Sequence, residues 1–343
     1  MTEIRTFDDQ SPDLNGASIL VTGGTGSFGK RFIRTVMERY SPKRLIVFSR
    51  DEFRQYEMAQ SFTEEEKKCL RFFIGDVRDV DRLEMALRGV DYVIHAAAIK
   101  QVDTAEYNPF ECILTNVMGA QNLVQACIRG GIKKVVALST DKASNPANLY
   151  GASKLASDKI FVAANNLSGK NGTEFSVVRY GNVVGSRGSV VPLFERMINE
   201  GVKSLPITDD RMTRFWITLQ QGVNFVLSSL DIMKGGETFI PKIPSMDVIE
   251  VAKLMAPDLE THVIGIRPGE KLHEMMITAD DSRNTLEMDD RYIIEPAFKF
   301  WERDDVRHPN AKTVEDGFSY ASDSNTEWLD AEGLNFMLEQ PRT

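Results

Sequence analysis

The chain has little from which to build a disulfide framework or a metal site: its three cysteines, Cys69, Cys112 and Cys127, show no ligand spacing. Such sparse cysteine suits reduced thiols in a cytoplasmic protein, with neither bridges nor bound metal. An excess of positive charge is missing too. With 41 basic against 50 acidic residues the net charge is -9, which argues against general affinity for nucleic acid or anionic membranes. An anionic substrate therefore needs a local basic pocket. Long apolar runs are absent, and the first fifteen residues are polar and acidic rather than basic followed by apolar, so neither a targeting segment nor a membrane anchor is expected.

What is present is a chain of 343 residues with 42% hydrophobic and 27% charged content, enough for one large α/β domain and a smaller lobe. Strand-like runs recur at 17–22, 44–49, 71–74, 91–96, 133–139 and 174–180, with helical spacing of apolar residues between them, as at 28–40, 79–88 and 109–129. That alternation predicts a doubly wound parallel sheet covered by helices on both faces, a Rossmann domain over residues 16–183. From about Val183 the rhythm breaks. Pro192, Pro206, Pro241, Pro244, Pro257 and Pro268 punctuate shorter elements, which predicts that residues 184–343 form mainly a substrate lobe and a C-terminal tail, with some later segments returning to the sheet. Phe300, Trp301, Phe318 and Trp328 mark that tail as able to pack on its own or a neighbouring subunit.

Gly23, Gly26 and Gly29, within Gly23-Gly24-Thr25-Gly26-Ser27-Phe28-Gly29, follow the first strand and open a helix. A dinucleotide pyrophosphate needs this arrangement, because missing side chains let the backbone approach it and the helix N-terminus supplies unpaired N–H groups. A glycine string alone would be only a tight turn; the strand-to-helix setting makes it a cofactor site. The second strand ends in Ser49-Arg50-Asp51-Glu52, with Arg54 next. Arg50 stands where an NAD site ends in an acidic residue, which favours the 2′-phosphate of NADP, while Asp51 leaves NAD open. Asp76 and Val77 after the third strand fit adenine contacts. Ala96, Ala97 and Ala98 after the fourth offer small residues along the cofactor, and His95 reads as structural.

Ser139-Thr140-Asp141-Lys142 emerges from the fifth strand, and Tyr150 and Lys154 stand four apart at the start of a helix, on one face. An acid, a base and a hydride-transfer pair thus fall within sixteen residues. An arbitrary Asp-Lys dipeptide is usually a surface ion pair; placement just before Tyr-x-x-x-Lys reverses that preference.

With these motifs the chain resembles the extended short-chain dehydrogenase/reductase superfamily. Further stretches carry the resemblance to one branch of it: Thr140-Asp141-Lys142-Ala143, Asn148-Leu149-Tyr150-Gly151, Arg179-Tyr180-Gly181-Asn182-Val183, Arg187-Gly188-Ser189-Val190-Val191-Pro192, Met212-Thr213-Arg214-Phe215-Trp216 and Ile266 to Glu274. They are similar to the inverting UDP-N-acetylglucosamine 4,6-dehydratases that open pseudaminic-acid biosynthesis, over residues 18 to 338. Relatives that retain the C5 configuration usually carry Met in place of the tyrosine and have transmembrane helices; Tyr150 and the lack of such helices favour the inverting branch. Residues 1–15 and the stretch from Arg303 to Asp316 have no counterpart in the family pattern.

The resemblance implies oxidation at C4 of UDP-N-acetylglucosamine, loss of water across C5 and C6, return of the hydride to C6, and epimerisation at C5. It implies Tyr150 as base for the C4 hydroxyl, with Thr140 beside it and Lys154 lowering its pKa, Lys142 as the C5 base and Asp141 as the acid at C6. Lys100, Asn182, Arg187, Gly188, Ser189, Val190, Val191, Arg267 and Glu270 are the implied substrate-binding set, with Lys100 also beside the cofactor; positive groups among them would meet the UDP pyrophosphate. The bland reading of Arg267 to Glu270 is a proline-glycine turn. A homo-oligomer, dimer or hexamer, is expected. The competing readings are a retaining dehydratase, a UDP-sugar 4-epimerase, which has no use for Asp141-Lys142, and a non-catalytic NADP-sensing protein, which would be free to lose Tyr150 or Lys154.

Overall fold

A computed structural model describes residues 4–169, 172–186, 188–298, 300, 308 and 310–341. Six strands build its centre: β1 (Ser18–Thr22), β2 (Arg44–Ser49), β3 (Leu70–Ile74), β4 (Tyr92–His95), β5 (Lys134–Thr140) and β6 (Glu174–Tyr180). Between them run α1 (Ser27–Arg39), α2 (Glu52–Gln60), α3 (Glu64–Lys67), α4 (Val80–Ala86), α5 (Val102–Tyr107), α6 (Pro109–Ile113), α7 (Gly119–Gly130) and α8 (Leu149–Ser168). The six strands are mutually parallel in the spatial order β3-β2-β1-β4-β5-β6. Four later strands extend the same sheet: Thr238–Pro241 pairs parallel with β6, and Arg291–Ile294, Thr285–Glu287 and Lys312–Thr313 follow antiparallel.

Strands buried on both faces explain the apolar runs. Ile19 and Val21 of β1 pack with Phe32, Ile33 and Val36 of α1, whereas Leu20 packs on the opposite face with Leu123 and Val124 of α7; successive side chains of a strand point to opposite sides. The strand order reverses between β1 and β4, so the loops leaving their carboxyl ends diverge and open a crevice there.

The helix expected over 109–129 is interrupted. Leu114–Met118 forms a π turn between α6 and α7, and the wider turn brings the Asn116 amide onto the Ile99 backbone, accepting from its N–H at 2.8 Å and donating to its carbonyl at 2.9 Å. Such turns recur at functional sites, and this one also sets Thr115 into the crevice.

Beyond β6 the chain adds a small sheet in which Asn182–Val183 pairs with Thr213–Ile217, itself paired with Ser245–Asp247. The N-terminal segment packs on the body: Phe7 meets Phe225 edge-on, Leu14 is fully buried, and Arg5 pairs with Glu327. The tail also returns to its own chain, Phe318 against Tyr292 and the Trp328 indole donating to Asn325 O at 2.7 Å; Trp301 lies outside the described residues. Among the described residues no helix is long and apolar enough to cross a membrane.

Candidate active site

At the crevice, the first turn leaves room for a ligand backbone-to-phosphate contact. Gly23 has φ of 65°, and a Cβ there would lie 2.9 Å from the Ala96 backbone, so no other residue lets the β1 turn pass so close to the end of β4. Gly26 is the N-cap of α1 with no side-chain cap and no acidic residue in the first turn; Ser27, Phe28 and Gly29 open the helix behind it, and Thr25 is buried in the turn. Uncapped N–H groups at a helix start suit an anion.

Gly23, Ser49, Arg50, Asp76, Val77, Ala97 and Ala98 line one open cleft. Ala96 lies beside it, its N–H donating to the Thr22 hydroxyl at 3.2 Å. Thr115 lines the cleft as well, with its hydroxyl buried and unpartnered. Sequence reasoning missed it, since nothing in the pattern announced the π turn. A glycine cradle, an uncapped helix start and an orphaned hydroxyl fit a dinucleotide.

Both Arg50 and Asp51 have charged partners at the cleft. Asp51 caps α2, accepting from the Arg54 N–H at 2.9 Å and pairing with the Arg54 side chain at 3.2 Å. Its carboxylate is thus turned to its own helix, where Glu52 is the first residue. Arg50 reaches Asp76 at 3.5 Å, and Arg78 holds Asp76 at 2.7 Å. Burial opposes the Asp76 charge, but hydrogen bonds from Arg78 hold its carboxyl below the usual range.

The second half of the site forms where β5 ends. Thr140 donates to Asp141 Oδ1 at 2.9 Å and caps a single 3₁₀ turn, accepting from the Lys142 N–H. Across from it, Asn148 caps α8 by accepting from the Gly151 N–H at 2.8 Å. Gly151 permits the approach: a Cβ there would lie 2.2 Å from the Lys142 carbonyl oxygen. Tyr150 faces Thr140 and Lys142, and Lys154 lies one turn along the same helix. Thr140, Asp141, Lys142, Tyr150 and Lys154 therefore converge.

Their electrostatics differ from the sequence expectation in two respects. Burial pushes Tyr150 up to about 12, and the leading charge pulling it back is Lys142 rather than Lys154. Lys154 is itself lowered by burial, opposed by Asp158, which accepts from Ser139 at 2.7 Å and from Arg179 at 3.3 Å. Lys142 stands as an ammonium: burial works against its charge, but the Asp141 and Glu274 carboxylates outweigh that and raise it above the ordinary lysine value. The resemblance implies Lys142 as a base; Glu274, which that reading left out, supplies the second carboxylate that holds its charge. Asp141 Oδ2 is buried with no partner. His95 is pushed down to about 3 by burial and shares a 2.8 Å hydrogen bond with Thr22.

The chain after residue 260 closes over this centre. Asn148 donates to the Gly269 carbonyl at 2.7 Å, and Lys271 donates to Ser144 O at 2.7 Å. This turn carries Arg267, exposed and 4.0 Å from Glu270, and delivers Glu274 to within 3.1 Å of Lys142. Asn182 stands on the neighbouring small sheet, Ser189 directly precedes the helix Val190–Asn199 that contains Val190 and Val191, and a Cβ at Gly188 would sit 3.7 Å from Gln101, facing the segment that bears exposed Lys100. Arg187 lies outside the described residues. Arg214 donates to the carbonyls of Thr213, Lys271 and Leu272.

The family described as polysaccharide biosynthesis protein matches residues 19–296. The chain is 58% identical to a Campylobacter jejuni protein named UDP-N-acetylglucosamine 4,6-dehydratase (inverting), over 94% of this chain and 97% of that one. Among solved structures it is similar to Pen from Bacillus thuringiensis, with a TM-score of 0.87 and 38% identity over 95% of this chain and 98% of that one. It is also similar to DesIV, the dTDP-glucose 4,6-dehydratase of Streptomyces venezuelae with NAD and TYD bound, with a TM-score of 0.65 and 26% identity over 74% of this chain and 86% of that one.

Proposed function

The chain belongs to the polysaccharide biosynthesis protein family, within the extended short-chain dehydrogenases/reductases, and from that membership we propose that it is an inverting UDP-N-acetylglucosamine 4,6-dehydratase working with NADP. The observation that carries the reading is the pair of buried Asp141 and half-buried Lys142, 3.1 Å apart, beside Thr140 and Tyr150. The named Campylobacter relative supports the substrate. For the cofactor, a nicotinamide dinucleotide is supported by the NAD in DesIV, and Arg50 with Asp51 turned away supports the 2′-phosphate.

When bound, NADP would take a hydride from C4 and return it to C6. Tyr150 removes the C4 hydroxyl proton, with Thr140 holding the same oxygen; the ammonium groups of Lys142 and Lys154 favour the phenolate this requires. A C4 ketone acidifies the C5 hydrogen and sets the C6 hydroxyl β to the carbonyl. Lys142 takes the C5 proton and Asp141, from its unpartnered Oδ2, protonates the hydroxyl that leaves as water. This needs the proton of the Lys142 ammonium to have passed to Asp141, which leaves the proton count of the pair unchanged. Delivery of a proton to the other face of C5 then inverts it, giving UDP-2-acetamido-2,6-dideoxy-β-L-arabino-hexos-4-ulose, the first intermediate of a pseudaminic-acid route. Lys100, Asn182, Arg187, Gly188 to Val191, Arg267 and Glu270 are the proposed UDP-sugar contacts.

The proposal includes a homo-oligomer. The consecutive helical turns α5, α6 and Leu114–Met118 leave Tyr107, Phe110, Leu114 and Met118 exposed, and large apolar side chains so grouped favour burial against a second copy. Sedimentation at equilibrium would read the mass.

A proton NMR time course with purified protein, NADP and UDP-N-acetylglucosamine tests the function. A new C6 methyl signal with an inverted C5 coupling pattern, and no sustained rise in reduced-nicotinamide absorbance, is the expected result. An intact C6 hydroxymethyl with a changed C4 configuration would make the protein an epimerase, and accumulating NADPH a net dehydrogenase.

A further inference from the structure

Lys142 is gripped from two sides. Its Nζ is 3.1 Å from Asp141 Oδ1 and 3.1 Å from Glu274 Oε1, and the second carboxylate arrives from 132 positions further along the chain, just ahead of the strand Met275–Ile277. Glu274 is 2% exposed. Burying a carboxylate is costly unless it is paired, and here the pairing is built: Lys271 Nζ lies 3.6 Å from Oε2 and Arg214 Nε 4.0 Å from Oε1. Arg214 also holds the carbonyls of Lys271 and Leu272, while Ser322 accepts from the Glu274 N–H at 2.9 Å and donates its own N–H to the Glu274 carbonyl. Backbone and charge of Glu274 are thus both fixed.

We infer that Glu274 is a positioning residue for Lys142, accepting one Nζ–H while Asp141 accepts another, so that the one remaining tetrahedral direction of the nitrogen is set for the proton it exchanges. Resting on the assignment of Lys142 as the C5 base, this role gives the neutral amine a lone pair aimed in a single direction. It also ties the charge of Lys142 to that of Glu274. The groups facing Lys142 are Asp141 in its own turn, Tyr150 from α8, Arg214 from the strand Thr213–Ile217, and Lys271 with Glu274 from the closing segment. Of these only the two carboxylates hold the ammonium form.

Competitive acetylation of the full-length protein by acetic anhydride, with Lys142 quantified by peptide mass spectrometry across pH, reads that charge without any substrate. Glu274→Gln keeps an acceptor and removes the charge, so Lys142 should deprotonate at lower pH by about one to three units, a rise of roughly tenfold to a thousandfold in its acetylation at a fixed pH. The acid limb of kcat should move to lower pH in the same direction, with KM unchanged. Glu274→Ala, which removes the acceptor too, should lose about a hundredfold in kcat through misplacement of the amine. Glu274→Asp keeps the charge one methylene further off and should fall between wild type and Glu274→Gln. Unchanged Lys142 reactivity and pH profile in a folded Glu274→Gln protein would overturn the inference, as would a Glu274→Asp protein indistinguishable from wild type in both measures. Should the acetylation shift appear in a protein that makes no 6-deoxy product, the dehydratase reading fails while the hold of Glu274 on Lys142 stands.

Discussion

The two halves of the crevice are made differently. The cofactor half is written in short contiguous stretches, each at the end of one strand: Gly23 to Gly29, Ser49 to Arg54, Asp76 and Val77, Ala96 to Ala98. The acid-base half joins Thr140 to Lys154 with Arg214, Lys271, Glu274 and Ser322, brought in from the second half of the chain. A local site tolerates distant changes, whereas an assembled one depends on close approaches that a single added atom can spoil.

The sharpest way to break that contrast is Tyr150→Phe, which removes the proposed base and should slow the first hydride transfer by about a hundredfold to ten-thousandfold while NADP binding, measured by titration calorimetry, holds. Next comes Gly151→Ala. With the Lys142 carbonyl 2.2 Å from the new Cβ, α8 must withdraw from the β5 end, and turnover should drop by about a hundredfold with cofactor affinity again little moved. Equal losses in both halves would mean that the crevice responds as one unit. Arg50→Ala probes the other half: loss of a charge-assisted hydrogen bond should weaken NADP by about tenfold to a hundredfold and leave NAD nearly unaffected, and equal losses for the two cofactors would count against the 2′-phosphate contact.

A smaller effect tests the floor of the cofactor half, where His95 of β4 meets Thr22 of β1. Burial lowers its folded pKa from 6.5 to about 3, so the unfolded chain takes the proton first. The stability that neutral His95 contributes is complete above about pH 6.5 and declines as pH falls toward 3, by up to about 1.4 kcal/mol per pH unit. Urea titrations at several pH values should show that His95→Asn flattens this part of the slope; an unaltered slope would mean that other groups account for it.

How much could be read in advance follows the same division. The six parallel strands and the glycine turn were plain from apolar periodicity and a local motif, because strand, turn and helix are adjacent in sequence. Thr140, Asp141, Lys142, Tyr150 and Lys154 were visible for the same reason. Thr115 was not, since a π turn has no sequence period of its own, and Glu274 was not, since a glutamate in a turn looks the same whether it faces solvent or a lysine of the site. Arg214, beside Phe215 and Trp216 in the strand Thr213–Ile217, carried no sequence sign of its role. Its use, holding the carbonyls of residues 271 and 272, exists only after the chain has folded.

The most direct test of the account is deuterium incorporation at C5 of UDP-N-acetylglucosamine in heavy water, comparing wild type with Lys142→Ala in the presence of NADP. Wild type should place deuterium at C5 and form the 6-deoxy-4-keto sugar; Lys142→Ala should do neither, while still binding both ligands and still allowing C4 oxidation. Near-normal turnover with C5 exchange in Lys142→Ala would contradict the account and move the search for the base to Asp141.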